Sequence, residues 1–409
     1  MAKTDFADRM KQVAFSPSLA VIGRVREMRA AGIEIIDFSA QGATPDIARR
    51  AAADMMNQDA SSFYTDPRGL PVLRETIAAK LAAENAIDAD PDTDVIVTVG
   101  AKQAIFATML ALVDKGDEVI VEDPGYISFA PLIRLAGATP VTLPLVEDDK
   151  YRFPVDRLRG CITKKTRLLL LCNPHNPTGR CLSNDELTEI SSIAMDNDIR
   201  VLVDEAYEHY IYDGVRHVSM ASLPGMKERT VTVQTMSKVY NMGGWRVGWL
   251  AGPLDIVKQV LAVHTQTVTC PTSFAQAGAS AAIRAKIGEG NLPIPEIVNL
   301  YQRRRDVLVD ELCSIPDVSC VTPAGAYFAF PNIARYGLPS LEMSPYLLET
   351  AHVATTPGSA FGEAGEGHVR LVFKADVDVI RQGIARIKDA LSNLEPKSGS
   401  RVTAGGPDR

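Results

Sequence analysis

No unbroken apolar run in the chain approaches the roughly 18 residues that a membrane-spanning helix needs. The first thirty residues interleave charge with apolar side chains and present no signal-peptide core. A cytoplasmic protein with no membrane partner is expected. The six cysteines (Cys161, Cys172, Cys181, Cys270, Cys313 and Cys320) lie far apart with no CxxC pair, and the histidines do not cluster. That spacing predicts reduced thiols and argues against a disulfide framework or a structural zinc site, so no metal is expected. Positive charge is not in excess: 43 Lys and Arg against 50 Asp and Glu leave a net charge of −7. The balance argues against nucleic acid as a partner, while leaving room for a local basic pocket. No internal repeat is visible. No G-x-G-x-x-G follows the first expected strand, which counts against a nicotinamide-dependent dehydrogenase.

What is present is ordinary globular composition, 46% hydrophobic and 23% charged, which excludes a disordered or collagen-like chain. With 409 residues, the chain exceeds the roughly 250–300 at which a single core stops growing, so two units are expected. Short β-branched or leucine-rich runs predict strands at Asp94–Val99, Glu118–Val121, Arg167–Cys172, Arg200–Val203, Thr230–Gln234 and Val247–Ala251. Their continuous apolarity is that of strands buried on both faces. Leu70, Leu73, Ile77 and Leu81 recur at helical spacing, as do Ile105, Met109 and Leu112, and Ser183 with Glu186 predicts a capped helix to Met195. The alternation predicts an α/β domain with a mostly parallel sheet. Beyond about residue 295 a charged helix over Tyr301–Leu312 and short strands at Val318–Val321, Ala326–Phe330 and His368–Phe373 predict a smaller α+β unit. The division expected is an arm over 1–41 joining the small unit, a large domain over 42–295, a small domain over 296–395, and a flexible tail over 396–409.

Ligands of open α/β sheets bind at the carboxyl ends of the strands, so the loops there carry the chemistry. In Val231–Leu250 a strand runs into Ser237 and Lys238, and a Gly-rich loop then delivers Arg246. Burial lowers a lysine pKa, which is what a Schiff-base lysine needs, although most lysines are simply exposed. In LCNPHNPTG, Leu171–Gly179, a strand ends in a turn presenting Asn176; in RVLVDEAY, Asp204 ends another. Taken singly, the first could be a plain turn and the second a helix cap.

In this order, each after an expected strand, the segments NPHNPTG, DEAY and SK with GGWRVGW resemble the class I and II aminotransferases, fold type I enzymes that use pyridoxal 5′-phosphate. YTDPRGLPVL from Tyr64, VTVGAKQA from Val97, DPGY from Asp123 and HVRLVF from His368 extend the likeness over nearly the whole chain. The pattern is most similar to the bacterial gamma subgroup of aspartate aminotransferase-like enzymes. The resemblance implies a mostly parallel seven-stranded sheet sandwiched by helices. It implies that Lys238 anchors the cofactor and moves the proton, that Asp204 pairs with the pyridine nitrogen, and that Asn176 and Tyr207 bond the phenolic oxygen while Tyr126 stacks on the ring. It places the phosphate at Gly100, Ala101, Thr235, Ser237 and Arg246, with Tyr64 reaching in from a second subunit of a homodimer. Arg370 would grip the substrate α-carboxylate.

Two departures from the family pattern stand out. The segment SAQGATPD is shifted relative to the family's Gly-x-Pro-Asp, so either Gln41 or Gly42 would make the backbone contact to substrate. Lys102 and Ser18 match subgroup residues that read a side-chain carboxylate, but Ala20 stands where a threonine is usual. The expected activity is transfer from an L-amino acid, aspartate-like by preference, to a 2-oxo acid such as 2-oxoglutarate. An aromatic donor, or a lyase or oxidase on the same scaffold, is the alternative.

Overall fold

The computed structural model describes residues 6–13, 17–39, 42–287 and 294–394. Four consecutive leucines, Leu168–Leu171, show how the main sheet is built. Side chains alternate across a strand, so Leu168 and Leu170 enter one core while Leu169 and Leu171 enter another on the opposite face. Val201 and Val203 side with the second core and Leu202 with the first. Each fully buried leucine contributes about 1.5–3 kcal/mol, and both layers therefore need helical covers.

The strands are β1 (Val95–Thr98), β2 (Glu118–Asp123), β3 (Thr139–Pro144), β4 (Thr166–Cys172), β5 (Arg200–Asp204), β6 (Thr230–Thr235) and β7 (Gly248–Ala251). Their spatial order is β1-β7-β6-β5-β4-β2-β3, parallel except for β7, which runs against both neighbours. This is the expected α/β sheet of seven strands. β3 was not expected. Prolines at 140 and 144 obscure it in the sequence, and both are tolerated because the strand lies at the edge of the sheet, beside β2 alone.

Helix α1 (Pro17–Ala30) packs Val25 and Met28 with Ile35 against Leu348, and Arg24 bridges to Glu349. Thus the N-terminal segment lies against the C-terminal part of the chain. Helix α2 (Asp46–Met56) packs on the helix Ser273–Ile287. Helix α3 (Pro71–Asn85) buries the predicted Leu73, Ile77 and Leu81. Helix α4 (Ala101–Leu112) springs directly from β1. In the helix Asn184–Asp196, the Ser183 Oγ accepts from the Glu186 N–H at 3.2 Å and the Glu186 carboxylate accepts from the Ser183 N–H at 2.7 Å, the capping box legible in the sequence.

The C-terminal part carries a three-stranded antiparallel sheet, β8 (Phe328–Ala329), β9 (Thr356–Pro357) and β10 (Val369–Val372), in the order β8-β10-β9. The strand expected at Val318–Val321 reduces to a single bridge between Ser319 and Asn332, and that at Ala326–Phe330 to two residues. Its aromatic side chains are buried by packing with Tyr207, Tyr301 and Phe361 instead of by strand pairing. The tail expected over 396–409 lies outside the described residues. Among the described residues no helix is long and apolar enough to cross a membrane.

Candidate active site

Strands β4, β5 and β6 are adjacent and parallel, so their carboxyl ends open on one edge. Asp204 closes β5 in register with Cys172 of β4 and Val233 of β6. Its Oδ1 accepts the Ala206 N–H at 3.1 Å. Burial pushes its pKa up to about 6; the Ala206 bond and the Lys238 ammonium oppose that rise, and Glu205 adds to it. A buried carboxylate so poised gains from a cationic partner.

Asn176, buried after β4, meets Arg370 of β10: Nη1 of Arg370 donates to the Asn176 Oδ1 at 3.0 Å, and Nη2 to the Thr356 hydroxyl at 3.5 Å. The guanidinium lies 4.5 Å from the Phe328 ring centre and 4.8 Å from that of Phe361. Among the described residues no carboxylate pairs with it, its Nε has no partner, and burial lowers its pKa despite Tyr207, Tyr327 and Tyr126 nearby. A buried cation whose fork meets only neutral oxygens among the described residues is a site for a carboxylate from outside the chain.

The third component is an anion cradle. Gly100, at φ +81°, turns β1 into α4, and a side chain there would meet Arg246 Nη2 at 2.5 Å. Gly248 on β7 sits between Thr98 and Thr235 in register, and a Cβ on it would fall 2.7 Å from the Ala101 nitrogen. These glycines let the N-terminus of α4, the Thr235 hydroxyl and the Arg246 guanidinium converge. Among the described residues Arg246 donates only to the Gly243 and Val99 carbonyls; Thr235 and Ser237 are 2.9 Å apart through their hydroxyls. First-turn N–H groups, a helix dipole and an unpaired arginine form an anion site of the phosphate type.

Lys238 lies where β6 ends. Its Nζ stands 5.0 Å from the Tyr207 ring centre and 6.0 Å from that of Tyr327. The sequence reading expects a lowered lysine pKa; the structure reverses that direction. Burial does lower it, but Tyr327, Tyr126 and Asp204 outweigh burial and the ammonium is favoured. Tyr327 moves the opposite way: burial raises its phenol, and Lys238, Lys374 and Arg370 bring it below the usual value. Tyr327 is the residue that sequence reasoning missed. The Gly-Ala-Tyr at 325–327 was the available signal, but it read as part of a core strand. Thr356, on the unexpected β9, was missed too.

Tyr126 is half-buried, edge-on to Phe129, with the exposed Lys102 Nζ 5.7 Å from its ring centre. A cavity of about 720 Å³ shares Lys102 and Tyr126 with this constellation and continues along Phe129–Arg134 and Ser359–Glu363; Lys238 and Asp204 are not among its walls. Gly42 lies against Asn241, and Thr44 bonds the Asn241 carbonyl at 3.1 Å, so this segment abuts the loop after Lys238. Gln41 and the side chain of Ser18 lie outside the described residues. Tyr64 is apart from the rest: it is 87% exposed, and its hydroxyl has no hydrogen-bond partner among the described residues. The cradle, the buried carboxylate and the amine fit the phosphate, ring nitrogen and aldehyde of pyridoxal 5′-phosphate, and the arginine fork fits the carboxylate of a substrate.

The sequence signature described as "Aminotransferase class I and II" matches residues 33–387. An aspartate aminotransferase of Musicola paradisiaca is 37% identical over 95% of this chain and 97% of its own. An aromatic-amino-acid aminotransferase of Thermococcus litoralis is 36% identical over 85% of this chain and 88% of its own. Among solved structures, aspartate aminotransferase from Thermus thermophilus with maleate superposes with a TM-score of 0.88 at 30% identity, covering 94% of this chain and 99% of that one.

Proposed function

The chain belongs to the class I and II aminotransferase family, whose enzymes use pyridoxal phosphate, and from that premise we propose that it moves the amino group of an L-amino acid to a 2-oxo acid in a two-stage ping-pong cycle with 2-oxoglutarate as acceptor. The observation that carries this reading is the Asn176–Arg370 contact at 3.0 Å, with the arginine fork free of any carboxylate among the described residues.

In this reading Gly100, Ala101, Thr235, Ser237 and Arg246 would hold the phosphate, Asp204 would pair with the ring nitrogen, Asn176 and Tyr207 would bond the phenolic oxygen, and Tyr126 would stack on the ring. When bound, the cofactor supplies an aldehyde that condenses with amines and a ring that accepts the electron pair left by the departing α-proton. Arg370 orients the substrate through its α-carboxylate, so that the α-hydrogen faces Lys238. Lys238 would anchor the cofactor, and its amine would take the substrate's α-proton and redeliver it. The cluster of Tyr207, Tyr327 and Phe328 excludes water from the amine.

An aspartate-like donor is favoured by the aspartate aminotransferase relatives, by the dicarboxylate maleate in the Thermus structure, and by the exposed Lys102 ammonium over Tyr126. The Thermococcus relative supports an aromatic donor as the second reading. The test is a half-reaction screen: the purified enzyme, loaded with cofactor, is mixed with single amino acids and its absorbance followed. Aspartate and glutamate are expected to convert the cofactor to its amine form. Conversion by phenylalanine or tyrosine alone would select the second reading, and keto acid or ammonia released without an acceptor would indicate a lyase or oxidase.

The exposure of Tyr64, beside Phe63 at 71%, supports a homodimer in which Tyr64 serves the neighbour's phosphate. Mixing inactive Tyr64→Ala and Lys238→Ala subunits is then expected to regain up to about a quarter of wild-type activity, because half the dimers are mixed and one of their two sites carries both native residues. A fully active monomer would refute the shared site.

A further inference from the structure

Beside the end of β5 that carries Asp204 lies a buried polar network. Lys80 of α3, 0% exposed, donates to the Asn85 Oδ1 at 2.7 Å, to the Gln234 Oε1 at 2.8 Å and to the Glu208 carboxylate. Gln234 donates to Glu208 at 2.8 Å and to Glu205 at 3.2 Å. Asn85 donates to Glu208 at 2.7 Å and to the Ser219 hydroxyl at 2.8 Å, and Ser219 in turn donates to Glu205 at 2.8 Å. His217 Nε2 lies 3.3 Å from the same Glu205 oxygen.

The network holds two buried carboxylates and one buried ammonium. Lys80 matches Glu208, whose pKa burial would raise but Lys80, His209 and His217 hold far below the ordinary range. Among the described residues Glu205 has only His217 as an ion-pair partner, and the second atoms of that pair, Glu205 Oε1 and His217 Nδ1, are buried with no partner. Donor atoms of Glu205, Glu208 and His217 lie within 4.8 Å of one another, a spacing a divalent ion could use, but Lys80 is already the resident cation on Glu208. The charge next to Asp204 therefore depends on one imidazole.

We propose that Glu205 and His217 are positioning residues for Asp204: the charged imidazole cancels the Glu205 carboxylate and so keeps Asp204 ionised on the acid side of neutrality. This rests on the reading of Asp204 as the partner of the cofactor's ring nitrogen. His217 is faced by Glu205 and Glu208 from the turn after β5 and by Lys80 from α3. Burial lowers its pKa, yet the two carboxylates outweigh burial and Lys80, and the charged form is favoured. Asp204 is faced by Lys238 beyond β6, by Cys172 on β4, and by Tyr207 and Glu205 of its own segment. The ionised carboxylate is the form that holds a cationic ring, so affinity is present above the Asp204 pKa and falls as pH drops through about 6. Removing the imidazole charge leaves Glu205 uncancelled and moves that loss to higher pH.

The test measures the dissociation constant of pyridoxal phosphate from the enzyme, by absorbance, across about pH 5 to 8.5. His217→Gln is expected to weaken binding about three- to tenfold near pH 6 and to leave it unchanged near pH 8.5. His217→Lys, which keeps a charge, holds the wild-type profile, and the double variant Glu205→Gln/His217→Gln returns to within about twofold of it. A merely structural role would make the double variant the weakest at every pH, and that result overturns the proposal, as does an unmoved profile in His217→Gln. Glu205→Gln alone tests it without touching His217: the profile stays or moves to lower pH, and a move to higher pH overturns it. A wild-type enzyme that holds no cofactor at any pH overturns the reading of Asp204 together with this inference, whereas normal loading with an unmoved profile overturns this inference alone.

Discussion

Lys238→Ala is expected to lower turnover by at least about a thousandfold and to abolish the visible band of the lysine-bound cofactor, because among the described residues no other amine occupies the end of β6. The effect should be confined to chemistry. Among the described residues Lys238 forms no salt bridge, and its cation–π packing over the Tyr207 and Tyr327 rings is worth about 0.5–2 kcal/mol. Thermal unfolding of the cofactor-free variant should therefore stay within a few degrees of the wild type, separating lost catalysis from lost fold. Turnover near the wild-type value would refute the assigned role.

Arg370→Ala is expected to be the second most damaging change. The guanidinium offers two N–H groups in one plane, and charge-assisted bonds of about 1.5–3 kcal/mol each give about 3–6 kcal/mol in total. That is about two to four orders of magnitude in kcat/KM for every amino acid that serves as substrate. Arg370→Lys keeps the charge but loses the fork, and is expected to recover only a minor part of the loss. Cofactor affinity should change little, since the cradle around Gly100 and Arg246 is built from other elements. Equal kcat/KM in wild type and Arg370→Ala would remove Arg370 from the substrate site.

The central strands were legible because burial on both faces demands uninterrupted apolar runs such as Leu168–Leu171, and the cap of the helix Asn184–Asp196 because its chemistry is local. The edge strand β3 was not, since half-exposed threonines and prolines carry no such signature. Asp204 and Lys238 were legible because each follows a readable strand, and Arg246 because a Gly-rich loop delivers it ahead of the next one. Tyr327 was hidden: its aromatic neighbours suggest a core strand, and only the fold brings it to Lys238. The direction of the lysine shift was misread for the same reason, since burial is local information but the charges of Tyr327 and Asp204 arrive from distant segments. Lys80 and Glu205 were likewise silent, a lysine on an amphipathic helix being indistinguishable in sequence from a solvated one.

The reversed strand β7 has a consequence for the order in which the molecule can assemble. β1 sits at the end of the sheet and pairs with β7 alone, a strand roughly 150 residues further along, so this closure is among the slowest contacts for the chain to find. The parallel block β2 to β6 can form before it. The turn at Gly100 and the guanidinium of Arg246 meet only when β7 slots between β1 and β6. A nascent chain therefore completes its anion cradle late, and binding competence should emerge with the final step of sheet closure, after most secondary structure is in place.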